Sequence, residues 1–128
     1  MTDYEKALMA SSTIRSLGKK LKTGTITSRE MNRLVGEYGK IAGKQISTQL
    51  LSEFPNGQVP EDEVRRVISP ILKQSHKFVS ELTAAYLNLQ YEKTGTGLKA
   101  VVQDYNISRE DEMVKEISRR SFADELEG

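Results

Sequence analysis

The residues best suited to chemistry in this chain are two glycines that flank a threonine, a lone histidine and two short runs of acids. Gly95 and Gly97 are spaced like part of a loop that cradles phosphate. A phosphate loop needs wider glycine spacing followed by Lys-Ser/Thr, and a dinucleotide loop follows a strand. Here a helical pattern precedes Gly95, so we predict that a helix ends at this glycine and that no nucleotide binds.

His76 is the only histidine, and no Asp or Glu lies three or four residues from it. This spacing favours a solvated or inter-helix histidine over a general base or a metal ligand. The acids at 61–63 and at 110–112 are consecutive, so they do not share a helix face and suit the positive N-terminal ends of helices. Cysteine is absent, which excludes thiolate chemistry. We therefore predict no catalytic residue, no metal ligand, no cofactor and no enzymatic activity.

Length and composition favour a helical domain. The chain has 128 residues, of which 37% are apolar and 29% charged. This composition is typical of helices that each bury a single apolar stripe. No apolar run approaches the roughly 18 residues of a membrane span, and the first residues lack the features of a signal peptide. We expect one domain over 1–128, either whole or as the N-terminal part of a longer protein, with no membrane association.

Charge is distributed unevenly along the chain. Residues 1–50 hold nine Lys/Arg and four Asp/Glu, whereas residues 101–128 hold four and eight. A basic first third suits an acidic partner or nucleic acid, but the two ends are also able to neutralise each other in the fold or in an assembly. Direct DNA contact is not favoured, because no aromatic residues or reading motifs accompany the cations. The cations concerned are Lys19, Lys20, Lys22, Arg29, Arg33, Lys40 and Lys44.

Apolar periodicity predicts an all-α fold. A first helix covers about 3–22 and stops near Gly24, and a second follows the capping box of Thr27 and Glu30 and runs to the turn at 55–57. A third is broken or kinked at Ser69-Pro70 into 60–68 and 70–93. A short last helix of about 109–126, capped by Ser108, carries Met113, Val114, Ile117 and Leu126 on one side. The expected architecture is an elongated antiparallel bundle of three main helices plus this short C-terminal helix.

The second helix contains three glycines, Gly36, Gly39 and Gly43, which fall on one narrow strip. Each costs up to about 1 kcal/mol relative to alanine. Such a strip lets another backbone come close, and two interpretations follow. The strip contacts a partner helix, or it packs against another helix of the same chain.

With the elements placed, the chain resembles the N-terminal region of phage minor head proteins, also called minor capsid or head-morphogenesis proteins. The strongest matching blocks are Leu89-Gln90-Tyr91-Glu92-Lys93, Gly97-Leu98-Lys99-Ala100 and Tyr105-Asn106, with shorter ones at 4–9, 13–15, 22–25 and 69–72. Members of that family are usually longer, and their distal cysteine-rich segments have no counterpart here.

The resemblance implies a structural, non-catalytic role in head assembly, in the virion or in the host cytoplasm during assembly. It implies contacts with virion proteins such as the portal or the major capsid protein, and it allows self-association. We expect the contact surface to comprise Gly36, Gly39, Gly43, Arg29, Arg33, Lys40 and Lys44. The alternative is a nucleic-acid-associated helical protein that acts in DNA packaging or regulation.

Overall fold

A computed structural model describes residues 1–95 and 104–119, and within these ranges the chain is helical without strands. This confirms the predicted all-α class. None of the described helices is both long and apolar enough to cross a membrane. The helices are α1 (Asp3–Ala10), α2 (Ser12–Thr23), α3 (Ser28–Glu53), α4 (Glu61–Thr94) and α5 (Ile107–Arg119).

The prediction of one continuous first helix is wrong, because the chain breaks at Ser11. Ser11 is extended, with φ −77° and ψ 117°. Its hydroxyl accepts the N–H of Ile14 at 3.2 Å, and its own N–H donates to the carbonyl of Leu8 at 3.1 Å. Serine competes in this way with helical hydrogen bonding, and the apolar period does not register it. The break separates α1, which buries Tyr4 and Leu8, from α2, which buries Leu17.

The start of α3 is as predicted. Thr27 Oγ1 accepts the N–H of Glu30 at 3.1 Å, and Glu30 Oε1 accepts the N–H of Thr27 at 3.0 Å, which completes the capping box. Ile26 and Met31 are buried in one cluster on either side of this cap. A hydrophobic residue just before the cap that packs against the first turn fixes the angle at which the chain enters the helix.

Contacts along their length show that α3 and α4 run antiparallel. The end of α3 meets the start of α4 in the ion pair between Glu53 and Arg66, at 2.6 Å. Nearer the middle, the rings of Tyr38 and Phe78 lie 6.4 Å apart in an edge-on contact. At the far end, Leu82 packs against the buried cluster at the start of α3.

Two buried clusters hold the helices together. The larger one draws on α1, α3, α4 and α5, and its members are Tyr4, Leu8, Ala42, Ile46, Leu50, Val59, Val64, Val67, Ile68, Ile71 and Val114. The smaller one joins α2 to the first half of α3 through Leu17, Ile26, Met31 and Leu34. The core is therefore mainly aliphatic.

Of the two alternatives predicted at Ser69-Pro70, the break is wrong, since α4 continues through Pro70. Proline inside a helix costs about 3 kcal/mol. Ile68 and Ile71 on either side of it are at most 8% exposed and belong to the same cluster. Burying an aliphatic side chain contributes about 1.5–3 kcal/mol, so these neighbours together outweigh the proline. Ser69, which we expected to cap a new helix, hydrogen-bonds to Glu110 of α5 instead.

Two glycines end helices in the left-handed conformation, Gly24 with φ 74° and Gly95 with φ 67°. The predicted stops at these residues are confirmed, whereas Gly97 lies outside the described residues. At the start of α5, the side chain of Asn106 accepts the N–H of Arg109 at 3.2 Å. The predicted cap at Ser108 is therefore two residues late, because asparagine caps as well as serine does.

The buried side of α5 follows the prediction in part. Val114 is fully buried and Ile117 packs against the larger cluster. Met113, expected on the same side, is 37% exposed. The predicted helix end at 126 and the side chain of Leu126 lie outside the described residues.

Replacing Pro70 with alanine should raise the free energy of unfolding by roughly 2 kcal/mol. Pro70 is exposed, so its replacement removes no buried contact. In a helix interior alanine is about 3 kcal/mol more favourable than proline. The greater freedom of the unfolded chain without proline offsets about 0.5–1 kcal/mol of this gain in stability. Urea denaturation measures the change. Pro55→Ala, in the turn, is the matched control and should give no such gain. A loss of stability in Pro70→Ala would contradict the explanation that packing of its neighbours keeps α4 continuous despite the proline.

Glu30 should make stability depend on pH in the acid range. Its hydrogen bond with Lys20 and then the N–H of Thr27 lower its pKa from 4.5 to about 2. A carboxylate with a lowered folded pKa stabilises fully above its unfolded pKa, and this stabilisation is lost as pH falls through the folded one. Glu30→Gln should therefore lower the urea midpoint at neutral pH, by an amount that shrinks between about pH 4.5 and 2. Glu37→Gln on the same helix is the control, and an equal pH-dependent loss there would refute the assignment to Glu30.

Candidate functional site

One exposed side of α3 carries every residue predicted for the contact surface. All are exposed, and helical geometry brings them to one side of α3, which we call the outer face of α3. Its residues are Arg29, Arg33, Gly36, Gly39, Lys40, Gly43 and Lys44. The capping box starts this helix and the buried Leu34, Ala42, Ile46 and Leu50 orient it, so the core residues decide which side faces outward.

The three glycines of this face have no packing role in the described structure. A methyl group placed on Gly36, Gly39 or Gly43 would meet no atom within 4 Å. The interpretation that they allow close packing within the chain is therefore wrong for the described residues. Together they lower helix stability by roughly 2–3 kcal/mol relative to alanine. Among the described residues, no contact depends on their missing side chains.

The four cations of the outer face take part in none of the ion pairs among the described residues. Those pairs use Lys20, Arg65 and Arg66. In α5, Glu110 and Asp111 pair with Arg65 of α4. These two acids therefore do not neutralise the cations of the basic first third.

A second polar cluster fastens α5 to α4. Glu110 is only 3% exposed and accepts hydrogen bonds from Arg65 at 3.0 Å and from the hydroxyl of Tyr105 at 2.9 Å. Burial acts to raise the pKa of Glu110, but hydrogen bonds from Ser69 and Tyr105 and the charges of Arg65 and Lys73 outweigh it, so the pKa is lowered. Burial and the bond to Glu110 raise the pKa of Tyr105. The carboxylate is thus ionised and fully engaged as an acceptor.

His76 lies beside this cluster, as an inter-helix histidine. Its ring meets the ring of Tyr105 edge-on at 5.6 Å, and its Nε2 lies 3.4 Å from Ser80 Oγ. Lys73 Nζ lies 5.9 Å from the centre of the same tyrosine ring. The described residues contain no group of three or more His, Cys, Asp or Glu placed to hold a metal ion. The contacts of this cluster hold the start of α5 against α4.

A cleft of about 550 Å³ runs along this side of α5. Its lining carries both signs of charge, from Asp104, Arg109, Glu112 and Glu116, with Leu72 and Met113 between them. This mixture does not select one class of ligand by charge.

The sequence prediction missed the role of Glu110, because the acids at 110–112 were interpreted only as charges that suit the positive N-terminal end of a helix. A signal was present, since Glu110, Val114 and Ile117 share one side of a helix. A charged residue on the stripe that buries its apolar neighbours indicates a paired, buried charge. Its partner Arg65 is 45 residues away in sequence, and spacing does not identify it.

Comparison of the chain with models of protein families, with curated proteins and with solved structures finds no match.

Glu110→Ala should release α5 while leaving α3 and α4 folded together. The change leaves the Tyr105 and Ser69 hydroxyls and part of the Arg65 guanidinium without their acceptor, which costs about 3 kcal/mol in total. We expect amide hydrogen exchange in α5 to accelerate on the order of 100-fold, with little change in α3. The exposed Glu112→Ala on the same helix is the control. Equal acceleration in α3 and α5 would show that α5 does not open separately.

Proposed function

We propose that this chain is a structural, non-catalytic part of a phage or prophage minor head protein. In this role it acts in head assembly, in the virion or in the host cytoplasm during assembly, by binding virion proteins such as the portal or the major capsid protein through helix faces. The resemblance of the blocks at 89–93, 97–100 and 105–106 to that family supports the lineage. The outer face of α3 supports the mode of action.

The observation that carries the proposal is that the three glycines of this face lower helix stability, whereas no contact among the described residues requires them. A domain is typically stable by only about 5–15 kcal/mol, so roughly 2–3 kcal/mol spent on three exposed glycines is a substantial share. Bare glycine backbone lets the main chain of another helix approach closely, as in small-residue helix contacts. The flanking cations suit an acidic partner.

We also propose that the helices act as an elongated antiparallel bundle. In it, α1 with α2, then α3, then α4 form the three long layers, and α5 is a short addition. The 34 residues of α4 correspond to about 50 Å of helix. A face of that length suits contacts with several neighbours in an assembly.

Gly39→Leu combined with Gly43→Leu should abolish binding to the virion partner and at the same time stabilise the isolated protein. Both positions face open space, so leucine should gain up to about 1 kcal/mol of helix propensity at each. Pull-down of the portal and major capsid proteins encoded in the same genome measures binding, and urea denaturation measures stability.

Gly18→Leu is the matched control, because Gly18 on α2 also has no atom within 4 Å of an added methyl group. It should leave binding unchanged. Unchanged binding by the double variant would refute the surface assignment, and absence of binding by the unaltered chain would refute the proposed partners.

One observation favours a second candidate function, a nucleic-acid-associated helical protein for DNA packaging or regulation. The four exposed cations of the outer face have no ion pair among the described residues, as in surfaces that neutralise phosphates. Affinity for DNA that falls steeply between low and physiological salt would support this function.

A further inference from the structure

The turn between α3 and α4 contains a pair of residues that can react with each other. Asn56 is followed directly by Gly57, and no other asparagine of the chain precedes a glycine. The side-chain amide carbon of an asparagine is an electrophile, and the backbone nitrogen of the next residue is the nucleophile nearest to it. Because both groups belong to one short stretch of chain, their reaction is intramolecular and needs no catalyst.

Local hydrogen bonding builds the turn around this pair. The N–H of Gly57 donates to the carbonyl of Phe54 at 2.9 Å, which closes a turn with Pro55 at its second position. Proline suits that position because its φ is already fixed. Gly57 leaves the turn with φ 78°, in the left-handed region that favours glycine. The turn therefore places the residue without a side chain next to Asn56, where no Cβ hinders the approach of its nitrogen.

The side chain of Asn56 is folded back over this turn. Its Oδ1 accepts the N–H of Gln58 at 3.0 Å. This contact spans Gly57, so it holds the amide carbon, Cγ, on the side of the Gly57 nitrogen. When that nitrogen attacks Cγ, negative charge develops on Oδ1, and the N–H of Gln58 is already placed to stabilise it. The same hydrogen bond thus orients the electrophile and polarises it.

The other asparagines lack this arrangement. Asn32 and Asn88 lie inside α3 and α4, where the next N–H is held in the helical hydrogen-bond ladder. Asn106 precedes Ile107, whose branched side chain crowds the nitrogen. Asn56, in contrast, is exposed, so water reaches its amide group.

Two features of the turn slow the reaction without preventing it. Gly57 is buried, and its N–H must leave the carbonyl of Phe54 before the nitrogen attacks. Loss of one hydrogen bond lowers the rate by at most about tenfold. The helices on either side end at Glu53 and begin at Glu61, so the turn can open while both remain folded.

We propose that Asn56 is a site of spontaneous deamidation in the folded protein. The Gly57 nitrogen loses its proton to hydroxide and bonds to Cγ of Asn56, while the bond from Cγ to the side-chain nitrogen breaks. That nitrogen takes up a proton and leaves as ammonia, and a cyclic imide remains. Water then adds to either carbonyl of the imide and opens the ring to aspartate or to isoaspartate. The balance is one water consumed and one ammonia released, without oxidation or reduction.

Both products change the joint on which the pairing of α3 with α4 depends. Each adds a carboxylate at an end of the molecule that already carries Glu53, Glu61 and Asp62. Isoaspartate also adds one carbon to the backbone, between the end of α3 and Val59, which is buried in the larger cluster. The modification therefore alters charge and chain length at the same point.

Mass spectrometry of the full chain tests the proposal. The purified folded protein is kept under mildly alkaline conditions, digested at intervals and analysed at every asparagine, with fragmentation that distinguishes isoaspartate from aspartate. Asn56 should gain the mass difference between OH and NH2 and yield both isomers, whereas Asn32, Asn88 and Asn106 should remain unchanged. The rate in the folded protein should lie within about tenfold of the rate in the same chain unfolded in guanidinium chloride.

Asn56→Gln is the matched control, because it keeps a neutral amide at this position but must close a larger ring. Its residue 56 should remain unconverted over the same period. A folded-state rate more than about a hundredfold below the unfolded one overturns the proposal, because conversion then requires α3 and α4 to separate. Aspartate without isoaspartate also overturns it, since direct hydrolysis gives aspartate alone. Equal conversion at Asn32 or Asn106 would show that the turn at Asn56 has no special reactivity, and this too overturns the proposal.

Discussion

The antiparallel pairing of α3 and α4 is the constraint on which the rest of the structure depends. Leu34 and Leu50 of α3 and Val64 and Ile68 of α4 have no exposed surface. The other helices attach to this pair, with α1 and α2 packed on α3 and α5 packed on α4. In the same pairing, α4 buries Ile68 and Ile71 on both sides of Pro70. It also determines which side of α3 faces outward.

Sequence alone predicted the features that depend on neighbouring residues. The capping box at Thr27 and the glycine stops at Gly24 and Gly95 require only local hydrogen bonds and local backbone angles, and the structure confirms them. The errors at Ser11 and Pro70 arose where another interaction competes with the periodic pattern. Ser11 ends a helix whose apolar pattern continues past it, and the helix continues past Pro70 although proline favours an end there. At Ser11 the hydrogen bonds of the serine itself decide the outcome, and at Pro70 the packing against distant residues does, so an apolar period predicts neither.

The candidate surfaces divide in the same way. The exposed strip on α3 followed from helical spacing, because residues at known angles on one helix share a face wherever that helix lies. The cluster at Glu110 did not follow, because its donors come from Arg65 and Ser69 on another helix and from Tyr105 in the segment before α5. Sequence spacing describes one element at a time. A site assembled from two helices therefore becomes visible only in three dimensions.

Two groups of charged residues differ in burial and in how far the described fold depends on them. Glu110 is buried, satisfied by several donors and devoted to holding α5, since a buried charge without partners would be strongly destabilising. Arg29, Arg33, Lys40 and Lys44 are exposed and lack ion pairs among the described residues, so no ion pair of the described fold depends on them. The glycines between them reduce helix stability without improving the core. The composition of this surface therefore opposes the stability of its own helix, and the charge that the surface exposes is positive.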